Sequence, residues 1–164
     1  MTTTIESVRK DIRQVLERVA CRAFLSTSQV NITQDNWTKV NLNAVTYDLG
    51  KNFALDTYKF TAPVSGLYHI IGQVFLTDSV IADKRYMAGI YKNGAVISCS
   101  GCHASIANFL SSSVNDEVYL RKDDYIELYI YNQAGAGTVD ILSDAVGLYT
   151  FLVVRLISKE GTKQ

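Results

Sequence analysis

The chain of 164 residues balances 16 Lys and Arg against 16 Asp and Glu and has no basic run interleaved with aromatics, which excludes the electrostatic footprint of a nucleic-acid-binding protein. This length fits one domain, which buries roughly two thirds of its unfolded surface in a single core. Ten tyrosines, one proline and 48% hydrophobic residues exclude a disordered chain and favour sheets.

The first segment, MTTTIESVRKDIRQVLERVACRAF, is charged throughout and lacks the apolar core and small-residue cleavage site of a signal peptide. Synthesis without export is therefore expected, with the three cysteines reduced. No apolar run approaches the ~20 residues that span a bilayer, so no membrane partner is predicted. Ile5, Val8, Ile12, Val15 and Val19 recur in steps of three and four, the a/d seam of a coiled coil. Thr3 and Glu6 have the spacing of a capping box. The pattern predicts a helical stalk over residues 1–23, and β-branched residues at every seam position favour three or four strands over two. The alternative is an amphipathic helix packed on its own domain.

From Phe24 the apolar period changes to two. NWTKVNL, NFALDTYKF, GLYHIIGQVFL, RYMAGIYKNGAVIS, NFLSSSVNDEVYL, DDYIELYIYN, TVDIL and GLYTFLVVRLI all read as strands or strand pairs. Asn93-Gly94 sits between two of them, a strong hairpin signal, and NQAGAGT reads as a loop. The expectation is an all-β jelly roll or Greek-key sandwich over residues 24–164 behind the short helix. In GLYHIIGQVFL, Tyr68, Ile70, Val74 and Leu76 share one side while Leu67, Ile71 and Phe75 occupy the other. A sandwich buries only one face of each sheet, so the second apolar face is expected to meet a neighbouring subunit.

Cys99, Cys102 and His103 spell C-x-x-C-H, the spacing of c-type haem attachment. Haem would need export to an oxidising compartment and usually a second axial ligand, for which the chain offers only His69. Zinc would need a fourth ligand from a second pair that does not exist, and a redox pair normally opens a helix. The segment therefore reads as a loop near the end of the sandwich, with small residues that let it turn and thiols acting as small buried hydrophobes. NDEV and KDDY read as acids at turns. No GxSxG, P-loop or HExxH is present, so no enzyme, cofactor or metal site is predicted.

Phe53, Phe60, Pro63, Gly66 and Tyr68, within YDLGKNFALDTYKFTAPVSGLYHIIGQV, resemble the F-x-x-P-x-x-G-x-Y signature of the C1q-like domain in the C1q and tumour-necrosis-factor jelly-roll superfamily. IYKNG at 90–94, LRKDDYIEL at 120–128 and YTFLVV at 149–154 resemble that family's hairpin, its L-x-x-G-D-x-V-x-L segment and its last strand. Asp123 stands where glycine is usual. The resemblance covers roughly 24–158 and implies a non-enzymatic homotrimer packed about a threefold axis. Tyr68, Tyr129, Tyr131 and Phe151 are expected to include axis-facing residues. Calcium, held by several family members, is not expected, because SCSGCHASIAN carries no carboxylate; Asp78, Asp83, Asp140 and Asp144 read as solvated loop charges. With a short coiled coil in place of a collagen stem, the resemblance points to a virion component made in the host cytoplasm. Such a component would be a capsid decoration (cement) protein or a fibre head bound to another virion protein. The alternative is a binding module recognising protein or glycan at a cell surface.

Overall fold

The computed structural model describes residues 4–6, 19–77, 79–133, 135 and 137–160. Among them are thirteen strands: β1 (Ala20–Phe24), β2 (Gln29–Ile32), β3 (Asn36–Lys39), β4 (Ala44–Leu49), β5 (Phe53–Ala54), β6 (Lys59–Thr61), β7 (Gly66–Leu76), β8 (Arg85–Lys92), β9 (Ala95–His103), β10 (Leu110–Leu120), β11 (Tyr125–Asn132), β12 (Val139–Ile141) and β13 (Phe151–Lys159). They pair antiparallel into two sheets. One runs β2-β12-β7-β13-β1-β4, with β10 also paired to β7; the other runs β5-β6-β11-β8-β9, with β3 also paired to β11.

Strand β7 organises the first sheet. Its side chains alternate between buried and half-buried along all eleven residues, as the period-2 pattern requires when one face meets a core. Tyr68, Ile70, Val74 and Leu76 point inward and are completely buried. Opposite them, the second sheet contributes Ile126, Leu128 and Ile130 from β11 with Tyr86, Ala88 and Ile90 from β8, all fully buried in one core. Two buried polar side chains link the sheets near their edges. Ser112 on β10 receives the Ala88 N–H at 2.9 Å and donates to the Ser100 carbonyl at 2.9 Å. Asn132 on β11 donates to the Ile32 carbonyl at 3.1 Å. Each fixes the relative position of the sheets because unpairing a buried polar group costs about 1–3 kcal/mol.

The residues that carry the family resemblance have visible structural reasons. Phe60 and Tyr68 are fully buried and meet edge-to-face with centroids 6.1 Å apart, while the Tyr68 hydroxyl donates to the Val64 carbonyl at 2.7 Å. Gly66 lies where β7 passes β13, and a Cβ there would stand 2.3 Å from the Ser158 carbonyl oxygen. Asn93 and Gly94 both have positive φ, 52° and 82°, as the tight hairpin turn demands. Asp123 also adopts positive φ, 72°, so the turn keeps the left-handed geometry that glycine supplies without a Cβ penalty.

Two of these motifs meet. Asp124 accepts hydrogen bonds from the Asn93 side-chain amide at 2.7 Å and the Arg121 N–H at 2.8 Å, and pairs with Lys92 at 2.9 Å. Partial burial pushes its carboxyl up, but these donors outweigh it and hold the group down at about 2.

Several sequence expectations are corrected. The sheet starts at Ala20 rather than Phe24, and the Leu156 N–H donates to the Val19 carbonyl at 3.0 Å, extending the strand pairing into the expected stalk. Strands β2 and β4 were not anticipated; both are short, β2 exposing two of its four side chains and β4 four of its six, so neither shows a clean alternation. The C-x-x-C-H segment lies in β9, paired across to β8, rather than in a loop. NDEV lies inside β10, not at a turn. The last strand starts at Phe151, because the Asp144 carboxylate gathers the Val146, Leu148 and Tyr149 N–H groups into a turn.

Two outcomes test this account. Gly66→Ala should lower stability by about 1–3 kcal/mol, since the added methyl meets backbone rather than a movable side chain; denaturant unfolding measures it. Asp124→Asn should destabilise by about 2 kcal/mol at neutral pH. With the folded carboxyl held below its ordinary 3.8, the native contribution is complete above about pH 5 and vanishes as pH falls through about 2. The gap between the two proteins in thermal melts should therefore close over that range.

Candidate functional site

The structure leaves two surfaces rich in large side chains, one on the outer face of each sheet. On the seven-stranded sheet the outward residues of β7 line up with those of β13 and β10. Val153 and Asn115 flank Ile71; Arg155 and Glu117 flank His69; Phe151 and Ser113 flank Gln73; Tyr119 lies opposite Leu67, and Ser111 opposite Phe75. Leu67, Ile71, Phe75, Phe151 and Val153 are half-buried. Arg22 lies over the Phe151 ring, 4.2 Å from its centroid, and donates to the Gly147 carbonyl at 2.7 Å. At one end Phe75 contacts Tyr149 at 5.0 Å and Phe109 at 6.3 Å. Phe109 is 52% exposed, and Val146 and Leu148 in the neighbouring turn are 74% and 63% exposed. A polar row crosses this apolar field, with His69 Nδ1 3.8 Å from Glu117 Oε1.

The six-stranded sheet presents a different surface. Trp37 on β3 reaches across β11 until its ring occupies the space above Gly89 on β8, where a Cβ would come within 2.6 Å of it. Around it, Tyr91 lies 5.7 Å away edge-on and Tyr131 5.5 Å away at a tilt. Tyr91 and Tyr129 are stacked at 3.9 Å, and the Tyr131 hydroxyl donates to Asp35 at 2.9 Å. Between Tyr125 and Tyr129, Glu127 points to this same outer face yet is only 4% exposed, because Lys39 covers it and donates to Oε1 at 2.5 Å. Burial raises the Tyr91 and Tyr129 hydroxyls above their ordinary pKa. These rings are packed against one another and already partnered within the chain.

The residues expected at the threefold axis are not brought together. Tyr68 is sealed in the chain's own core, since it shares strand parity with Ile70 and Val74. Tyr129 and Tyr131 lie on the outer face of one sheet and Phe151 on the outer face of the other. Of the stalk seam, Val8, Ile12 and Val15 lie outside the described residues; Ile5 is 74% exposed, and Val19 is buried in the head core.

The cysteine segment does not bring its two thiols together. Cys99 pairs with Gly89 and Cys102 with Tyr86, and residues three apart on a strand point to opposite faces. Cys99 is exposed rather than buried, Cys102 half-buried, and all three cysteines are free. Burial, reinforced by Asp48, pushes the Cys21 thiol up to about 12, which makes it inert packing. Two of the acids read as solvated loop charges have backbone partners instead: Asp140 accepts the Asn31 N–H at 2.8 Å, and Asp144 caps the turn before β13. Among the described residues no three His, Cys, Asp or Glu side chains gather as a metal site.

Neither a protein-family profile nor a curated protein matches the sequence. Solved structures do match the fold. The Eiger TNF of S. frugiperda superposes with a TM-score of 0.67 at 10% identity, covering 90% of this chain and 97% of that one. Murine APRIL superposes at 0.65 with 11% identity, covering 86% of this chain and 100% of that one. The globular domain of zebrafish complement 1qA superposes at 0.58 with 16% identity, covering 87% and 99%. The chain has the jelly-roll fold of TNF and C1q globular domains.

Proposed function

We propose that this chain is a non-enzymatic homotrimeric head that docks on a larger assembly, a virion surface as capsid decoration or fibre head, with its three copies packed through the outer face of the seven-stranded sheet. One observation carries the reading. Strands β7 and β13 place Leu67, Ile71, Phe75, Phe151 and Val153 on the face turned away from the core, where all five stay half-buried, and contiguous apolar patches of this kind mark interaction sites. The opposite face suits an apolar subunit contact less well, because the Lys39–Glu127 pair and the Tyr131–Asp35 hydrogen bond lie among its rings. The fold shared with TNF and C1q domains supports the trimer by analogy only.

The N-terminal seam complements this. A helix of that length is marginal alone in water, and the 74% exposure of Ile5 leaves the seam's first position free for other copies. The head holds the trimer; the stalk zips afterwards and presents three N-termini for docking. A second reading, a module that binds a partner at a cell surface, is favoured by the aromatic face of the six-stranded sheet.

Light scattering should report about three times 18.2 kDa. Val153→Asp should shift the mass to a monomer, because it buries an unpaired charge, while Tyr129→Asp on the other sheet should leave it trimeric. Removing residues 1–18 should leave a folded trimeric head that no longer binds its parent particle. A stable wild-type monomer at micromolar concentration refutes the trimer; a truncated head that falls apart assigns assembly to the stalk; unchanged docking places attachment in the head.

A further inference from the structure

We propose that the outer face of the six-stranded sheet, built on Trp37, Tyr91, Tyr129 and Tyr131 with the Lys39–Glu127 pair beneath, is a binding site for a neutral saccharide chain. The first ground is preorganisation. The four rings are held by mutual contacts at 3.9 to 5.7 Å, and Gly89 leaves the space that Trp37 fills. Each ring is half-buried, so it keeps an accessible portion while losing little freedom when a ligand settles on it.

The second ground is the buried carboxylate. Glu127 occupies an outward strand position where a packed apolar residue would avoid the desolvation penalty of a charge. It is instead 4% exposed and paired with Lys39, which also donates to the Thr57 carbonyl at 3.4 Å. A fixed donor, the partly exposed Lys39 ammonium held from beneath by Glu127, thus lies beside a bed of rings. Aromatic surface receives the C–H faces of a pyranose, and the ammonium donates to its hydroxyls. Such sites combine apolar lining with a few fixed polar groups that set orientation.

Charge narrows the ligand class. The lysine and carboxylate at its centre offset each other, Asp35 and Lys59 stand at its two ends with opposite charge, and the Tyr91 and Tyr129 hydroxyls, raised by burial, add none. A quaternary ammonium ligand would want an open ring of aromatic faces, but Tyr91 and Tyr129 close on each other at 3.9 Å. The same stack removes the groove into which a proline-rich peptide would lay its rings. Single-stranded nucleic acid would need uncompensated cations along its backbone. A neutral polyhydroxylated chain meets none of these objections. The outward positions of β11 from Tyr125 to Tyr131 span about 20 Å, room for several sugar units. Lys59 lies over the Tyr125 ring at 4.6 Å and closes that end.

The chain supplies its own reporter, because Trp37 is the single tryptophan. Its fluorescence should change saturably on titration with at least one of cellohexaose, laminarihexaose, maltohexaose and mannohexaose, at roughly millimolar concentration. Tyr91→Ala or Tyr131→Ala should weaken that binding about tenfold, Glu127→Gln should weaken it several-fold, and Tyr131→Phe, which keeps the ring and tests against misfolding, should retain it. The monomeric Val153→Asp protein should bind with unchanged affinity per site, which separates this proposal from the trimer reading. Absence of a saturable change with all four sugars at roughly 10 mM overturns the proposal. So does full affinity in the alanine variants. If those variants instead reduce the mass of the assembly, the face is a contact between copies of the chain and the saccharide site is wrong.

Discussion

The alternation along β7 is the constraint on which the rest of the structure depends. Eleven residues without a break in parity send Tyr68, Ile70, Val74 and Leu76 into the core and leave Leu67, Ile71 and Phe75 on the far side. A slip of one residue would exchange the two sets. The neighbours prevent it. Strand β10 pairs with β7 from Leu110 to Leu120, β13 pairs with it on the other side, and Gly72 meets the Leu128 side chain so closely that a Cβ would stand 2.5 Å from it. That close approach sets where the two sheets touch, and with it the position of the aromatic surface on the opposite side of β11.

The two outer faces follow from this one register but are completed differently. The aromatic face is braced by intrachain contacts, with Trp37 filling the space above Gly89 and Lys39 on Glu127, while its rings stay half-buried. The apolar face has Arg22 laid over Phe151, Tyr149 and Phe109 against Phe75 at one end, and a polar row of His69, Glu117 and Arg155 in register across three strands. Large apolar side chains without a cover stabilise association more than folding, since the area they bury is realised only on contact. A polar row within such a field adds specificity rather than affinity, because only one register lets its groups find partners.

Much of the fold was legible because its signals are local. The parity of β7 and the Asn93-Gly94 turn are both readable from a few adjacent residues, as is the signature Phe60, Pro63, Gly66 and Tyr68. The boundary at Ala20 was not, because Val15 and Val19 continue a helical spacing directly into ACRAF. The four residues expected at a threefold axis are divided for a related reason. Tyr68 shares parity with Ile70 and Val74, which was visible and should have placed it in the core. Tyr129 and Phe151, by contrast, differ by sheet, which no single strand encodes. Trp37 went unremarked because its role depends on Gly89, distant along the chain and two strands away. In CSGCH, spacing alone suggested a cluster whose two thiols strand parity sends to opposite faces.

The separation of the two faces matters for what a trimer of this chain can do. If assembly consumes the outer face of the seven-stranded sheet, the six-stranded sheets point away from the axis, and three aromatic beds lie on the outside of one particle. A ring stack of this size holds a neutral sugar chain weakly, and millimolar affinity at one site retains little. Three sites fixed on a rigid body change that, because the second and third contacts form at the effective concentration set by the head and can raise overall avidity by about 10²–10⁴. The apolar face then contributes to recognition indirectly, by holding the three weak sites in a geometry that a repeating surface can engage together.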